Sequence, residues 1–226
     1  MLSEHFQNKL YEKFVNKKIL KSLREDFSFE NFEQKVMGQK SYSSVAFIDI
    51  TEFSTKISDF SIEEVSEFLA EYYSYVLKIV KDCNGHIDKI MGDGILVVFS
   101  KVFGDVHSDK EASDKSFCCC AQCIKELYNT KFEVKAAIGT GCLFFCKTGV
   151  EQIYEELSCI GHPLTIAYRL ESIADRNQIL LMSNTQLAGR VKTEIKNRKT
   201  SPWRMDSTTA YLKGLKSTNI DIIQYY

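Results

Sequence analysis

The chain has 226 residues and a formal net charge of −1, and 44% of its residues are hydrophobic. This length and this apolar fraction are enough for one ordinary domain with a sizeable core. The balanced charge gives no support for a nucleic-acid partner or a membrane partner. No segment has the roughly 20 continuous apolar residues that a membrane helix needs.

The N-terminus and the cysteines predict a cytoplasmic location. The first residues, MLSEHFQNKLYEKFVNKKILKSL, are charged throughout and lack the apolar block of a signal peptide. Four of the eight cysteines lie in the run FCCCAQC, where neighbouring thiols are poorly placed for a disulfide framework. Cys120 and Cys123 form a C-x-x-C pair, but the histidines supply no matching ligand spacing, so we favour packing over zinc or redox chemistry.

The chain divides into an appendage and a core domain. Within residues 1–40 the apolar side chains follow helical spacing up to about residue 24, and a polar stretch with interleaved phenylalanines follows. We therefore predict an N-terminal helical appendage over 1–40 and a core domain over 41–226. Neither a Ser/Gly-rich run nor a proline cluster divides the core domain further.

The core domain begins with a strand, a helix and a hairpin. The segment SSVAFIDI (43–50) has the β-branched and apolar character of a buried strand. After a loop, Ser61 has the features of a helix N-cap, and Asn84-Gly85 ends that helix. Strands near 86–91 and 95–99 then enclose the turn Gly92-Asp93-Gly94.

The second half alternates helices and strands. The patterns predict a helix over 110–129, strands near 132–138 and 142–146, a helix from His162 to about Ala174, a strand over 178–183, and a final hairpin within 210–226. This order predicts an α/β (α+β) sandwich with a mixed, mainly antiparallel sheet.

Two aspartates stand where elements end. Asp49 closes the first strand and Asp93 lies at the hairpin tip, and these points can meet at one edge of the sheet. Two adjacent carboxylates repel each other unless a cation bridges them, and oxygen ligands without cysteine or histidine suit Mg²⁺ or Mn²⁺. The loop after Asp49 precedes a helix, so the backbone N–H groups around Phe53 and Ser54 could hold phosphate oxygens.

These segments resemble a known family. VAFIDITEFS and KIMGDGILVVF resemble the two metal-binding motifs of the class III nucleotidyl cyclase catalytic domain, the adenylate/guanylate cyclase family. CIGHPLTIAYRLESIA resembles its third motif, usually G-x-x-V-N-x-A-x-R-L, and LKGL near the end resembles its closing LKG hairpin. The resemblance spans about residues 42–226 and implies a ferredoxin-like βαββαβ fold.

The resemblance also implies an activity and its residues. Asp49 and Asp93, with the carbonyl of Ile50, would hold two Mg²⁺ or Mn²⁺ ions per active site, and a nucleoside triphosphate would become a 3′,5′-cyclic nucleotide plus pyrophosphate. Arg169 matches the arginine that neutralises the α-phosphate. The family works as a head-to-tail dimer in which one subunit supplies the aspartates and the other the arginine, so a homodimer is implied.

Three positions concern the base and the ribose. Lys89 matches a base-contacting lysine typical of adenylate cyclases, but its usual aspartate partner is replaced by Ser158. Thr165 stands where the family has an asparagine that contacts the ribose, one helical turn before Arg169. Tyr42, seven residues before Asp49, lies where an aromatic ring could line a base pocket.

The replacement of the usual base-contacting aspartate by Ser158 leaves more than one function open. A compact cyclase of this kind resembles the pyrimidine cyclases of bacterial anti-phage (Pycsar) systems, whose cyclic UMP or cyclic CMP activates a separate cyclic-nucleotide effector. We favour a pyrimidine substrate because the usual purine-recognising pair is broken. The alternatives are an adenylate cyclase making cyclic AMP and a catalytically silent cyclase-like module that binds a nucleotide. A diguanylate-cyclase palm is disfavoured because the turn here is MGDG.

Overall fold

A computed structural model describes residues 35–150, 153–198, 200–215 and 217–226. The helix predicted over residues 1–24 lies outside these described residues, as does most of the appendage. None of the described helices is long and apolar enough to cross a membrane.

The core domain contains the following helices and strands in chain order: β1 Lys40–Ile50, α1 Phe53–Lys56, α2 Ile62–Asp82, β2 His86–Met91, β3 Gly94–Ser100, α3 Asp109–Leu127, β4 Val134–Val150, β5 Tyr154–Ile160, α4 His162–Glu171, β6 Gln178–Met182, α5 Gln186–Asn197, β7 Trp203–Ala210 and β8 Thr218–Tyr225. A single turn of 3₁₀ helix over Lys101–Phe103 follows β3.

The strands form one mixed sheet in the order β2-β3-β1-β4-β6-β8-β7, and β5 pairs with the distal part of β4. Within the described part of the chain, β4 and β6 are the parallel pair, and the other neighbours run antiparallel. The prediction of a mixed, mainly antiparallel sheet in βαββαβ order is confirmed, with β5 added before α4.

One face of the sheet is covered by α2, α3 and α5. Alternate residues of the strands point to this face, including Ile48 and Val97, and they join one continuous apolar cluster with the helices. The helix α2 begins at Ser61, whose side chain accepts from the N–H of Glu64 while the Glu64 carboxylate accepts from the N–H of Ser61. This capping box satisfies two backbone donors that would otherwise lack a partner. The predicted helix start is thereby confirmed.

The other face of the sheet is covered by α4. This helix approaches β4 so closely that a Cβ on Gly139 would lie 2.1 Å from the carbonyl oxygen of Pro163. The prediction of two strands near 132–138 and 142–146 is wrong, because β4 runs unbroken through this glycine. Glycine there makes room for the helix and does not mark a turn.

Three other elements differ from the sequence prediction. The segment before α4, where no strand was predicted, forms β5, which pairs antiparallel with the distal part of β4. The helix α5 was not predicted, although Thr185 caps it by accepting from the N–H of Ala188. The final hairpin exists, but its first strand ends at Ala210, where the predicted hairpin began.

The buried cysteines pack as small apolar residues. Each of the eight is a free thiol, and Cys119, Cys120 and Cys123 are fully buried on α3 within the apolar cluster. The preference for packing over zinc or redox chemistry agrees with these positions.

Candidate active site

Two carboxylates meet at the end of β1. Asp49 is the penultimate residue of β1, and Asp93 lies in the tight turn between β2 and β3. The pairing of Ile48 with Ile95 places Asp49 beside Gly94. The two carboxyl groups are close enough that the negative charge of Asp93 raises the pKa of Asp49. A Cβ on Gly94 would lie at an ordinary contact distance of 3.4 Å from Asp49 Oδ1 but only 2.7 Å from the ring of Phe47, so a larger residue there would require that ring to move.

Burial disfavours the ionised forms of both aspartates. Burial raises the pKa of Asp49 to about 8, with further contributions from the negative charges of Asp93 and Glu171. Burial also raises the pKa of Asp93. Both shifts favour a shared proton over two negative charges. A divalent cation would remove the cause of this repulsion, and two carboxylates supply the hard oxygen donors that Mg²⁺ and Mn²⁺ prefer.

Two further charged residues complete the cluster, and neither was predicted from the sequence. Lys135 lies opposite Asp49 in the β1–β4 register, with its Nζ 3.7 Å from Asp49 Oδ2 and 2.8 Å from Glu171 Oε1. Both Lys135 and Glu171 are largely buried. The sequence signal for Lys135 was a charge inside an otherwise apolar strand. The signal for Glu171 was a charge near the end of the third motif. The cluster retains an excess of negative charge.

The carboxylates cannot form a complete metal shell by themselves. Within the described ranges of the chain, no group of three or more His, Cys, Asp or Glu side chains has an arrangement that could hold an ion. Mg²⁺ is usually held by one or two carboxylates together with substrate phosphates and water. The residues present therefore fit an ion that arrives with a phosphate-bearing substrate. Ile50, the last residue of β1, is buried, and only its carbonyl could contribute.

Arg169 and Thr165 lie on the outward face of α4. Pro163, Ile166 and Leu170 are buried against the sheet, whereas Thr165, four residues before Arg169, is exposed. Among the residues that the structure describes, no carboxylate pairs with the Arg169 guanidinium. The structure thus does not bring Arg169 to the aspartates of its own chain, which lie on the sheet beneath the helix.

Lys89 has a partner that was not predicted from the sequence. Its Nζ lies 2.8 Å from Glu156 Oε1 on β5. Ser158, the expected partner position, follows two residues later on the same strand and is buried. Next to this pair, burial raises the pKa of Asp88 to about 6, and the Sγ of Cys159 lies 3.7 Å from its Oδ1.

Within this chain, Tyr42 lies neither with the two aspartates nor with Lys89. It shares the strand parity of Ser44, whose Oγ lies 2.6 Å from the Oγ of Ser116 on α3. Lys89 pairs across the strands with Leu96, which packs in the apolar cluster on the opposite face. Strand alternation therefore places Tyr42 and Lys89 on different faces of the sheet.

The loop after β1 forms the short helix α1. Glu52 precedes it in the left-handed conformation, with φ 57°, and forms an ion pair with Arg176. The ring of Phe53 packs at 6.2 Å from that of Phe68, and Ser54 is exposed. The first N–H groups of α1, including those of Phe53 and Ser54, precede its first backbone hydrogen bond.

The chain is similar to proteins of one family. The family described as the adenylate and guanylate cyclase catalytic domain matches residues 36–214. Over 56 residues the chain is 32% identical to "Adenylate cyclase, terminal-differentiation specific" from Dictyostelium discoideum, a match covering 25% of this chain and 3% of that relative.

Solved structures share the fold. The guanylyl cyclase Cya2 superposes with a TM-score of 0.67 at 22% identity, with 84% of this chain and 95% of that chain covered. The adenylyl cyclase CyaB from P. aeruginosa superposes with a TM-score of 0.66 at 19% identity, with 83% and 96% covered. Sequence identities of 22% and 19% establish a common fold but do not show which nucleotide base this chain binds.

Proposed function

Since this chain belongs to the adenylate and guanylate cyclase catalytic domain family, we propose that it converts a nucleoside triphosphate into a 3′,5′-cyclic nucleotide and pyrophosphate. The observation that carries the proposal is the adjacency of two partly buried carboxyl groups, Asp49 near the end of β1 and Asp93 in the turn between β2 and β3. Burial of two adjacent acids is costly unless a bound cation compensates for it.

The residues have distinct tasks in this reaction. Two Mg²⁺ or Mn²⁺ ions, held by Asp49, Asp93 and the Ile50 carbonyl, would lower the pKa of the attacking ribose hydroxyl and neutralise the leaving pyrophosphate. The N–H groups of Phe53 and Ser54 donate to phosphate oxygens. The in-line attack increases the negative charge at the α-phosphate.

The residues of α4 act on the partner's substrate. Arg169 neutralises the α-phosphate charge, and the hydroxyl of Thr165 contacts the ribose in place of an asparagine amide. What supports a contribution in trans is that both residues lie on the outward face of α4, away from the aspartates of their own chain. A head-to-tail homodimer with two equivalent sites brings Arg169 of one subunit to the carboxylates of the other.

We favour a pyrimidine triphosphate as the substrate, with cyclic UMP or cyclic CMP as the product. Ser158 lacks the carboxylate that a purine-specific lysine pair uses, which supports this choice. The product then acts on a separate cyclic-nucleotide effector in bacterial anti-phage defence, in the cytoplasm, where the free thiols stay reduced. An adenylate cyclase is the second candidate, because Lys89 is retained.

A product assay tests the reaction and the base. The purified chain is incubated separately with ATP, GTP, CTP and UTP in the presence of Mn²⁺, and cyclic nucleotide and pyrophosphate are measured. We expect a cyclic pyrimidine nucleotide. Cyclic AMP as the sole product would support the adenylate cyclase instead, and no pyrophosphate from any triphosphate would contradict cyclase activity and favour a silent nucleotide-binding module.

Subunit complementation tests the shared site. Asp93→Ala and Arg169→Ala should each be inactive alone, because each removes one half of every site. Mixing equal amounts and allowing exchange should restore about a quarter of the wild-type activity, since half of the dimers then hold one intact site. A mixture that stays inactive although exchange is demonstrated would contradict the contribution in trans.

A further inference from the structure

We propose that Arg176 is a positioning residue, which through its ion pair with Glu52 holds the loop after β1 in the conformation that catalysis needs. This inference rests on the proposed cyclase function and adds a residue to it. The loop begins directly after Asp49 and Ile50, which the proposed function assigns to the metal ions. A shift of the loop backbone would move the Ile50 carbonyl, so the loop conformation affects metal binding.

Glu52 has a backbone conformation that glutamate rarely adopts. Its φ is 57°, in the left-handed region, which is costly for a residue with a Cβ. Of the four described non-glycine residues with positive φ, the other three are asparagines, which tolerate this region better. Strained backbone of this kind persists only where the surrounding structure holds it in place. The local preference of glutamate therefore does not explain this turn.

The Glu52 side chain contacts Arg176 and not its own helix. It makes no capping hydrogen bond to α1. Instead, its Oε2 accepts from Nη2 of Arg176, which lies in the segment between α4 and β6. Arg176 Nη1 lies 3.2 Å from Oε2 of Glu133, the residue before β4. One guanidinium thus joins the loop to the start of the strand that pairs with β1.

The arginine end of this contact is held by the sheet. Gln224 Nε2 donates to the carbonyl oxygen of Arg176 at 3.1 Å. The N–H of the next residue, Asn177, donates to the carbonyl oxygen of Val134 at 2.9 Å. Asn177 Nδ2 also donates to Glu133 Oε1 at 3.0 Å, so the second carboxylate of the contact is fixed as well. The sheet therefore positions the arginine independently of the loop.

The exposure of the ion pair argues for an effect on the loop and not on folding. The side chains of Glu52 and Arg176 are 59% and 48% exposed. Exposed pairs of this kind add little to the free energy of unfolding. The pair can nevertheless select one loop conformation, because a local rearrangement requires less energy than unfolding the domain. We therefore expect loss of the pair to alter catalysis while the domain stays folded.

The test compares Glu52→Ala with Glu52→Gly in the product assay. Both variants lose the ion pair, but only glycine adopts a positive φ without a steric cost. For Glu52→Ala we expect kcat/KM for the preferred triphosphate to fall about tenfold, because strained turns store energy of this order. Glu52→Gly should stay within about twofold of the wild type. A role of the carboxylate itself would lower both values alike.

Arg176→Met removes the other partner of the ion pair. It should lower kcat/KM as Glu52→Ala does. The double variant Arg176→Met/Glu52→Gly should regain most of the wild-type activity, because glycine adopts the turn without the contact. A merely structural role of Arg176 would not be rescued by a glycine in the loop. The matched control is Arg198→Met, which breaks an exposed ion pair with Glu194 at the end of α5 and should leave kcat/KM unchanged.

Binding of Mn²⁺ together with pyrophosphate gives a readout that does not depend on turnover. Isothermal titration calorimetry should show weaker binding in Glu52→Ala than in Glu52→Gly or the wild type, and urea unfolding should show that all three are folded. If kcat/KM of Glu52→Ala equals or exceeds that of Glu52→Gly, or if the double variant is not rescued, the inference is wrong and the cyclase function stays intact. Inactivity of the wild-type chain with all four triphosphates would overturn the function and the inference together.

Discussion

The two faces of the sheet differ in what they bury. The face under α2, α3 and α5 is one continuous apolar cluster that includes Ile48, Val97 and Ile124. The face under α4 has smaller apolar clusters, and between them lie the ionisable groups Asp49 and Lys135. We infer from this difference that the first face supplies most of the folding stability, and the proposed active site lies on the second face.

The helices of the two faces begin differently. Ser61 and Ser108 cap α2 and α3 with side-chain hydrogen bonds. Gly161 precedes α4 without a side-chain cap, and a Cβ there would lie 2.6 Å from the carbonyl oxygen of Cys142. Local hydrogen bonding therefore defines the start of α2 and α3, whereas close packing on the sheet defines the start of α4.

Asp93→Asn is expected to give the largest effect, a loss of turnover without a loss of stability. Turnover should fall by more than about a hundredfold, because ion-mediated charge stabilisation is worth several kcal/mol. The stability of the metal-free protein should stay the same or rise, because burial disfavours the Asp93 charge. Steady-state kinetics and urea unfolding measure both effects, and Asp82→Asn, on the exposed end of α2, is the control. Wild-type turnover in Asp93→Asn would contradict the assignment of the site.

Ile124→Ala on α3 should instead lower stability and leave turnover unchanged. This fully buried side chain belongs to the large apolar cluster, so its truncation should lower the free energy of unfolding by about 2–5 kcal/mol. The folded fraction should keep its turnover. Ile62→Ala on α2 is the matched control, because Ile62 is 85% exposed. If Ile124→Ala unfolds at the wild-type urea concentration, the proposed role of this face is wrong.

The face under α4 should make stability depend on pH. The pKa of Asp49 rises from 3.8 to about 8 on folding, so the folded state holds a proton that the unfolded state has lost. The stabilising contribution is complete below about pH 4 and is lost as the pH rises through about 8. Urea unfolding of metal-free protein should therefore show lower stability at pH 8 than at pH 6.

Two comparisons identify the source of that slope. Asp49→Asn should flatten the pH dependence, since no carboxyl then titrates at this position. Mg²⁺ added together with pyrophosphate at pH 8 should recover stability by binding the ionised pair. An unchanged slope in Asp49→Asn would show that other groups are responsible.

The smallest effect is expected for Ser61→Ala. Loss of the side-chain acceptor at the start of α2 should lower the free energy of unfolding by about 1 kcal/mol. Turnover should not change, because the cap lies on the face that holds the apolar cluster. Thermal unfolding and the product assay measure these two quantities. A loss of turnover in folded protein would break the proposed separation of the faces.

The parts of the fold that local signals specify were predicted well. The buried strand that carries Asp49, the Ser61 cap and the hairpin that carries Asp93 depend on apolar patterning and turn chemistry within a few residues. The division of β4 at Gly139 was predicted wrongly, because the close approach of α4 explains that glycine. A glycine that permits packing and a glycine that permits a turn are identical in sequence.

The site shows the same limit. The sequence by itself determined the family resemblance and the candidate residues Asp49, Asp93 and Arg169, because their motifs are local. Only the tertiary structure paired Lys89 with Glu156 and placed Lys135 beside Asp49. These contacts join strands that are distant in the chain, and their distances depend on register and helix packing. Short-range patterns do not encode those quantities.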